Sequence, residues 1–374
     1  MVFCGSLFLL DRNGWFGLIG IFLLLAFSVS WVQANGQSRF LSLPDKRPLD
    51  AGAIEALQGA PLGLFDAEKP LDLCLEADFD ELLDVGAETD YRPAMMYLDF
   101  GDSLRLEFAM KIRPRGNTRL ASCYFPPLTL NFPAGDIRLS SLHGLDKIKK
   151  VTPCLEGEHY QNLVLREYLV YRLYRVLTDW SFRVRLLRME WQDKGSRDRV
   201  LRAWGFLIEE EERFALRSGL AEVKSDTLDF ADLQSRQLAL LAVFQYLIGN
   251  GDWSVPGRHN VKIFRQLAGE PGIAVPYDFD FSNMVNAHYP EEAVTVLDIP
   301  APPPQYKGPC IPPEILDEVI STFQEHREGL IREIAAFPYL PVEEKGKMLD
   351  QLSAFLRQLE SPSRLRQVVH AGCL

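Results

Sequence analysis

The chain has 374 residues, 47% of them hydrophobic and 24% charged, enough apolar material for a sizeable core and too much for a disordered chain. Its 51 acidic residues against 40 basic ones leave a net charge of −11, which argues against a nucleic-acid binder, since that function needs an extended basic face. A local anion site is still compatible with this balance.

Residues 15–32 form an uncharged apolar run containing Leu18, Ile19, Ile21, Phe22, Leu23, Leu24, Leu25 and Phe27. Val32-Gln33-Ala34 follows, a small-residue pattern of the kind a signal peptidase reads. The run is also nearly long enough for a membrane anchor. Residues 1–34 are therefore read as a signal peptide or an N-terminal tether, with cleavage preferred. Either outcome exports the body of the protein, to the periplasm or the extracellular space. Beyond this leader stand Cys74, Cys123, Cys154, Cys310 and Cys373, an odd number. Cys123 and Cys154 lie at the ends of segments expected on neighbouring strands, which makes them the first choice for a disulfide; buried free thiols are the alternative. No CxxC or Cys/His cluster has zinc spacing, so a structural metal is not expected.

Residues 35–70 are rich in Gly, Pro and Ala and read as a linker. Alternating segments at 71–75, 104–108 and 128–132, then 147–151, predict a β-rich block. A helix is expected from Glu158 to Leu177, with Leu165, Leu169, Leu173 and Val176 at helical spacing. Strands at 181–191 and 200–208 follow. In the first, Arg183 and Arg185 face opposite to Phe182, Val184 and Leu186, and a solvated edge is preferred over a surface for an anionic substrate. Glu209-Glu210-Glu211-Glu212 then reads as a connector between lobes, most simply a solvated turn. Residues 232–248 predict a buried helix closed by Gly249. Next come a polar loop at 252–260, a strand at 261–264, a turn at 269–272 and a strand ending at Asp278. Residues 300–313 are Pro-rich and extended, and two amphipathic helices, 313–336 and 342–359, close the chain. The expected fold class is α+β and two-lobed, with a β-rich N-lobe over 71–208 and a mainly helical C-lobe over 209–374.

The chemistry concentrates in the polar loop. Asp252 is followed by Asn260, and Asp278 and Asp280 come at the end of the next strand. A carboxylate to orient a hydroxyl, with an amide oxygen and a second carboxylate to hold Mg²⁺ against phosphates, are the parts used in phosphoryl transfer. A glycosidase could also use two carboxylates of this kind, but no aromatic platform pattern favours it, and no Gly-x-Ser-x-Gly elbow suggests a serine hydrolase.

Arg115-Gly116-Asn117-Thr118, the Asp252…His259-Asn260 loop and Tyr277-Asp278-Phe279-Asp280 resemble the spore-coat CotH kinase family, an atypical protein-kinase-like group. The chain is most similar to an uncharacterised exported branch of it, over residues 71–310. That similarity takes in Cys123-Tyr124-Phe125-Pro126-Pro127-Leu128, Lys147-Ile148-Lys149, Val151-Thr152, Arg166-Glu167-Tyr168-Leu169 and Ser181-Phe182-Arg183-Val184-Arg185. The resemblance implies an atypical kinase fold and transfer of a phosphoryl or nucleotidyl group from Mg-ATP to a protein or small-molecule acceptor. It implies Asp252 as the hydroxyl-orienting carboxylate, and Asn260 and Asp278 as Mg²⁺ ligands, with Asp280 a second ligand or a polar neighbour. Lys149 is the candidate for contacting the phosphates, although Lys147 shares its face and Lys150 is one step away. Glu167 is its expected ion-pair partner, and Arg115 with Asn117 would approach the phosphates. Eight steps separate Asp252 from Asn260, where ordinary kinases have five. His259 reads as a structural loop histidine. A non-catalytic, kinase-like scaffold of the cell envelope is the alternative, because ATP is scarce outside the cytoplasm.

Overall fold

The computed structural model describes residues 39–41, 64–65, 68–83, 90–99, 105–115, 123–125, 127–132, 147–195, 200–224, 228–266, 270–287 and 303–374. The apolar run at 15–32 and Asn117 lie outside them. Among the described residues no helix is long and apolar enough to cross a membrane.

The first half is a sheet of β1 (Arg39–Leu41), β2 (Leu71–Ala77), β3 (Arg92–Asp99), β4 (Arg105–Pro114), β5 (Leu128–Asn131), β6 (Lys147–Val151), β7 (Val184–Asp193) and β8 (Val200–Ile208). A short helix, α1 (Phe79–Leu83), follows β2, and the long helix α2 (Glu158–Leu177) separates β6 from β7. The strand order β4-β3-β2-β7-β8-β6-β5 returns to β4, so seven strands close into a barrel and β1 is added on the outside of the ring. Closure depends on the length of β4. One of its edges pairs with β3 throughout, while the other takes β1 at Arg105–Glu107 and β5 at Lys111–Pro114. All pairings are antiparallel except β2 with β7. The expectation of a small sheet lobe is corrected here: the N-terminal half is a closed barrel. The class is mixed α+β.

Pleating separates two cores. Leu187, Met189, Trp191, Leu207 and Ile148 belong to the barrel interior with Leu73, Leu75, Met96 and Phe108. Val184, Leu186, Phe206, Ile208 and Val151 belong to the second core, with α2 and the helical half. The strand β6 thus turns Ile148 and Lys150 inward and leaves Lys149 on the side facing the rest of the molecule. Directly paired residues share a face of a sheet, and Leu207 pairs with Lys150 on one side and Arg185 on the other. Both cations are buried, so the solvated-edge reading of Arg185 does not hold.

The second half has α3 (Glu211–Ser218), α4 (Ser235–Ile248), α5 (Pro313–Glu325), α6 (Arg327–Ala335), α7 (Val342–Leu359) and α8 (Pro362–Gly372). It also carries the small antiparallel sheet β9 (Ala221–Glu222), β10 (Val261–Arg265) and β11 (Ile273–Pro276), with β10 in the centre. The single helix expected at 313–336 is two, because His326 leaves the helical region at φ −95° and ψ 5°. The acidic connector is not a solvated turn. Glu209 is buried and receives a two-pronged contact from Arg217 at 2.8 and 2.9 Å, together with the Arg183 N–H at 3.1 Å. Burial raises the Glu210 carboxyl to about 7, and only Glu212 of the four is exposed. Cys123 bonds to Cys154 as expected, and Cys310 bonds to Cys373, a pairing that distance in sequence concealed.

Burial holds the Lys150 amine near 7, against an ordinary value of 10.5. The unfolded chain therefore binds the extra proton between those values, and stability rises with pH across that interval at up to about 1.4 kcal/mol per unit. Lys150→Met is expected to raise the urea midpoint at pH 7 and to flatten this alkaline rise; an unchanged pH profile in the variant would contradict the assignment.

Candidate active site

The helix α4 is buried almost all round and ends at Gly249, whose φ of 67° forms a left-handed cap. A side chain at Gly249 would meet that of Asn283 at 2.6 Å, so the turn after β11 packs directly on the helix end. The Asn283 and Met284 N–H groups donate to the Gly249 and Ile248 carbonyls at 3.3 and 3.0 Å. Just beyond the cap, the Asn250 side chain donates to Gln245 at 3.1 Å, and its own Oδ1 accepts the Asp252 N–H at 2.9 Å.

Asp252 is held from several directions. The Asn260 Nδ2 donates both to the Asp252 backbone carbonyl at 2.8 Å and to its Oδ2 at 3.0 Å. His259 Nε2 lies 2.8 Å from Oδ1, so the histidine expected to be only structural touches the candidate carboxylate. The eight-step spacing is absorbed by a small hairpin: Ser254 and His259 exchange backbone hydrogen bonds of 3.0 and 2.9 Å, and Trp253 and Val255 are buried beneath it. Arg258 and Asn260 turn the chain at φ 49° and 53°. Because both Nδ2 hydrogens of Asn260 are engaged by Asp252, the group left to meet a ligand is its Oδ1.

The hairpin of β10 and β11 brings Asp278 alongside. The Tyr277 N–H donates to the Asn260 carbonyl at 3.0 Å. Asp278 itself has φ 61°, and its N–H donates to the Tyr171 hydroxyl at 2.9 Å. Phe279 is fully buried, with its ring 4.7 Å from Tyr171 and 6.0 Å from Phe244. Burial, and then the Glu167 and Asp278 carboxylates, push the Tyr171 phenol well above its usual range, and Arg115 acts on it in the opposite sense.

Lys149 reaches the same neighbourhood from the barrel, its Nζ 5.3 Å from the centre of the Tyr277 ring. Its ion pair is with Glu211 at 2.6 Å, not with Glu167 as expected. Lys262 shares Glu211 at 3.4 Å and pairs with Glu222 at 3.1 Å. Against the upward push of burial, Lys149 and then Lys262 draw the Glu211 carboxyl down to about 2. Asp280 is buried, its Oδ1 accepts the Phe281 N–H at 2.9 Å, and with Glu167 it lines a void of about 10 Å³.

Asp252 also forms part of the wall of an open cleft of about 490 Å³, together with Gly251, Phe281, Asn283, Asn286 and Lys307. Among the described residues no group of three or more His, Cys, Asp or Glu side chains could hold a metal ion. A divalent cation here would have Asn260 Oδ1 and the Asp278 carboxylate as hard oxygen donors and would need phosphate oxygens to complete its shell, a usual situation for Mg²⁺.

No family model and no curated protein matches the chain. Among solved structures it is similar to the crystal structure of a Golgi casein kinase, at 13% identity and a TM-score of 0.34, over 65% of this chain and 72% of that one. A score that low is too loose to assign a function, and the site rests on its own geometry.

Sequence reading missed four participants. Tyr171 stands one helical turn after Glu167, Asn250 directly precedes Gly251-Asp252, Lys262 is two residues past Asn260, and Glu211 was hidden in the acidic run. Only the first spacing carried a usable signal. Tyr171→Phe removes the acceptor of the Asp278 N–H while keeping the ring, and should cost about 1–2 kcal/mol in chemical denaturation. A variant as stable as the parent would show that this bond does not position the turn.

Proposed function

We propose that the protein is an exported, atypical kinase-like transferase of the CotH type, with two lobes of unequal build. It would move a phosphoryl or nucleotidyl group from Mg-ATP to a hydroxyl of a protein or small-molecule acceptor. The observation that carries this reading is the double donation of Asn260 to Asp252. It fixes a carboxylate at the wall of a cleft and leaves the Asn260 Oδ1 outside these two bonds, while the Tyr277 N–H bond to the Asn260 carbonyl keeps the turn that carries Asp278 next in space.

In this reading Asp252 orients the attacking hydroxyl and accepts its proton, while His259 and Asn260 hold the carboxylate in place. Asn260 and Asp278 would hold Mg²⁺, which when bound neutralises charge on the phosphates. Lys149, Lys262 and Arg115 supply positive charge to the same side, and the phosphates would compete with Glu211 for the two lysines. The disulfides Cys123–Cys154 and Cys310–Cys373 support export, since such bonds persist in oxidising compartments.

A non-catalytic scaffold is the second reading. It is favoured by the burial of Asp280 and by a Lys149 already paired with Glu211.

A thermal-shift titration separates the two. Mg-ATP is expected to raise the melting temperature, and silence across nucleotides and divalent cations would favour the scaffold. If transfer is detected, Asp252→Asn should lower its rate by about 10²–10⁴-fold, and full activity in that variant would remove Asp252 from the mechanism.

A further inference from the structure

The open cleft beside Asp252 has walls that the transfer chemistry does not account for. Asn260, Asp278, Lys149 and Lys262 do not line it, so it is separate from the groups assigned to nucleotide and metal. In the reading proposed above, on which this inference rests, it is the space left to the acceptor. Two of its wall residues are unusual. Phe281 is 44% exposed, although Asp280 and Ser282 on either side of it are buried. Lys307 is exposed between the buried Tyr306 and Gly308 and makes no ion pair among the described residues. The Asp252 carboxylate is engaged by His259 instead.

The backbone under Lys307 is pinned. The Tyr306 hydroxyl donates to the Pro309 carbonyl at 2.7 Å, the Leu374 N–H donates to the Gly308 carbonyl at 2.9 Å, and Cys310 is bonded to Cys373. A side chain on Gly308 would meet that of Ala242 at 2.8 Å, so the segment lies directly on α4. The ammonium itself lies over Gly251, where a Cβ would come within 2.9 Å of Lys307 Nζ. Gly251 lacks the positive φ that reserves Gly249 for glycine, so its missing side chain matters for this close approach. The cleft thus carries a positive charge on its wall one residue from Asp252. Its other polar walls are the amides of Asn283, Asn286 and Gln305. Amides suit hydroxyls, an exposed aromatic ring suits an apolar C–H face, and an ammonium suits a carboxylate. Asp252 sets the direction, because it repels an acid and accepts from a hydroxyl. A small anion is favoured over an acidic polypeptide, which a chain of net charge −11 would repel at a distance.

We propose that this cleft binds a sugar acid, with its carboxylate at Lys307, its ring on Phe281 and a hydroxyl at Asp252. Glucuronate and glucose serve as probes, sharing one ring and differing by a carboxylate in place of a hydroxymethyl group. Binding to the full chain is measured by calorimetry and by saturation-transfer NMR, without nucleotide. Glucuronate is expected to bind about fivefold more tightly than glucose, the order of one partly exposed charge-assisted contact. Lys307→Gln should remove that preference and leave glucose binding unchanged, while Lys307→Arg should keep it. Phe281→Ala should weaken both probes alike. Equal affinity for the two probes, no binding of either, a preference retained in Lys307→Gln or full binding in Phe281→Ala would each overturn the proposal. The preference found together with silence towards Mg-ATP would remove the transfer reading and keep the sugar-acid site.

Discussion

The hydrogen bond from the Asp278 N–H to the Tyr171 hydroxyl ties together three parts of the molecule that sequence keeps far apart. The helix α2 packs against the outer faces of β7 and β8, so its position is set by the barrel. Tyr171 carries that position across to the turn after β11, and Phe279 locks the turn by inserting its ring between Tyr171 and Phe244. The same turn caps α4, from whose end Asn250 and Asp252 emerge. Asp252 and Asp278 therefore keep their relation because both refer back to one helix end and one buried phenol. A left-handed φ at Asp278 is tolerated where so many contacts determine it.

Electrostatics gives this frame a resting state. Glu211 sits between Lys149 and Lys262, at 2.6 and 3.4 Å, and the two ammonium groups depress its carboxyl against the effect of burial. Glu167 is not the partner of Lys149; the connector supplies that acid. In the proposed reading, an entering phosphate would find two lysines already oriented, at the cost of displacing one carboxylate.

Much of this was legible in the sequence, unevenly. The helix from Glu158 to Leu177 was readable from its apolar spacing alone, and the Asp252…Asn260…Asp278 order anticipated that these segments are neighbours, because loop and strand-end residues at such offsets return to the same place across a hairpin. Cys123 and Cys154 could be paired because their flanking strands were recognised, whereas Cys310 and Cys373 lay in segments with no such register. What could not be read depends on contacts between distant segments. Barrel closure requires the two-sided use of β4, which no local pattern encodes. The acidic run looked solvated because its partners, Arg217, Lys149 and Lys262, are brought to it only by the fold. Lys150 shows the same limit: alternation predicts which way a lysine points, not whether that side is the inside of a barrel.

In the proposed reading Asn260 and Asp278, and not Asp252, supply protein oxygens to a nucleotide-bound cation. Electron paramagnetic resonance of Mn²⁺ titrated in the presence of ATP tests it directly. A protein-bound Mn²⁺ signal is expected that needs nucleotide, is lost in Asp278→Ala and survives in Asp252→Asn. A signal unaffected by Asp278→Ala, or no bound Mn²⁺ with any nucleotide, would contradict it.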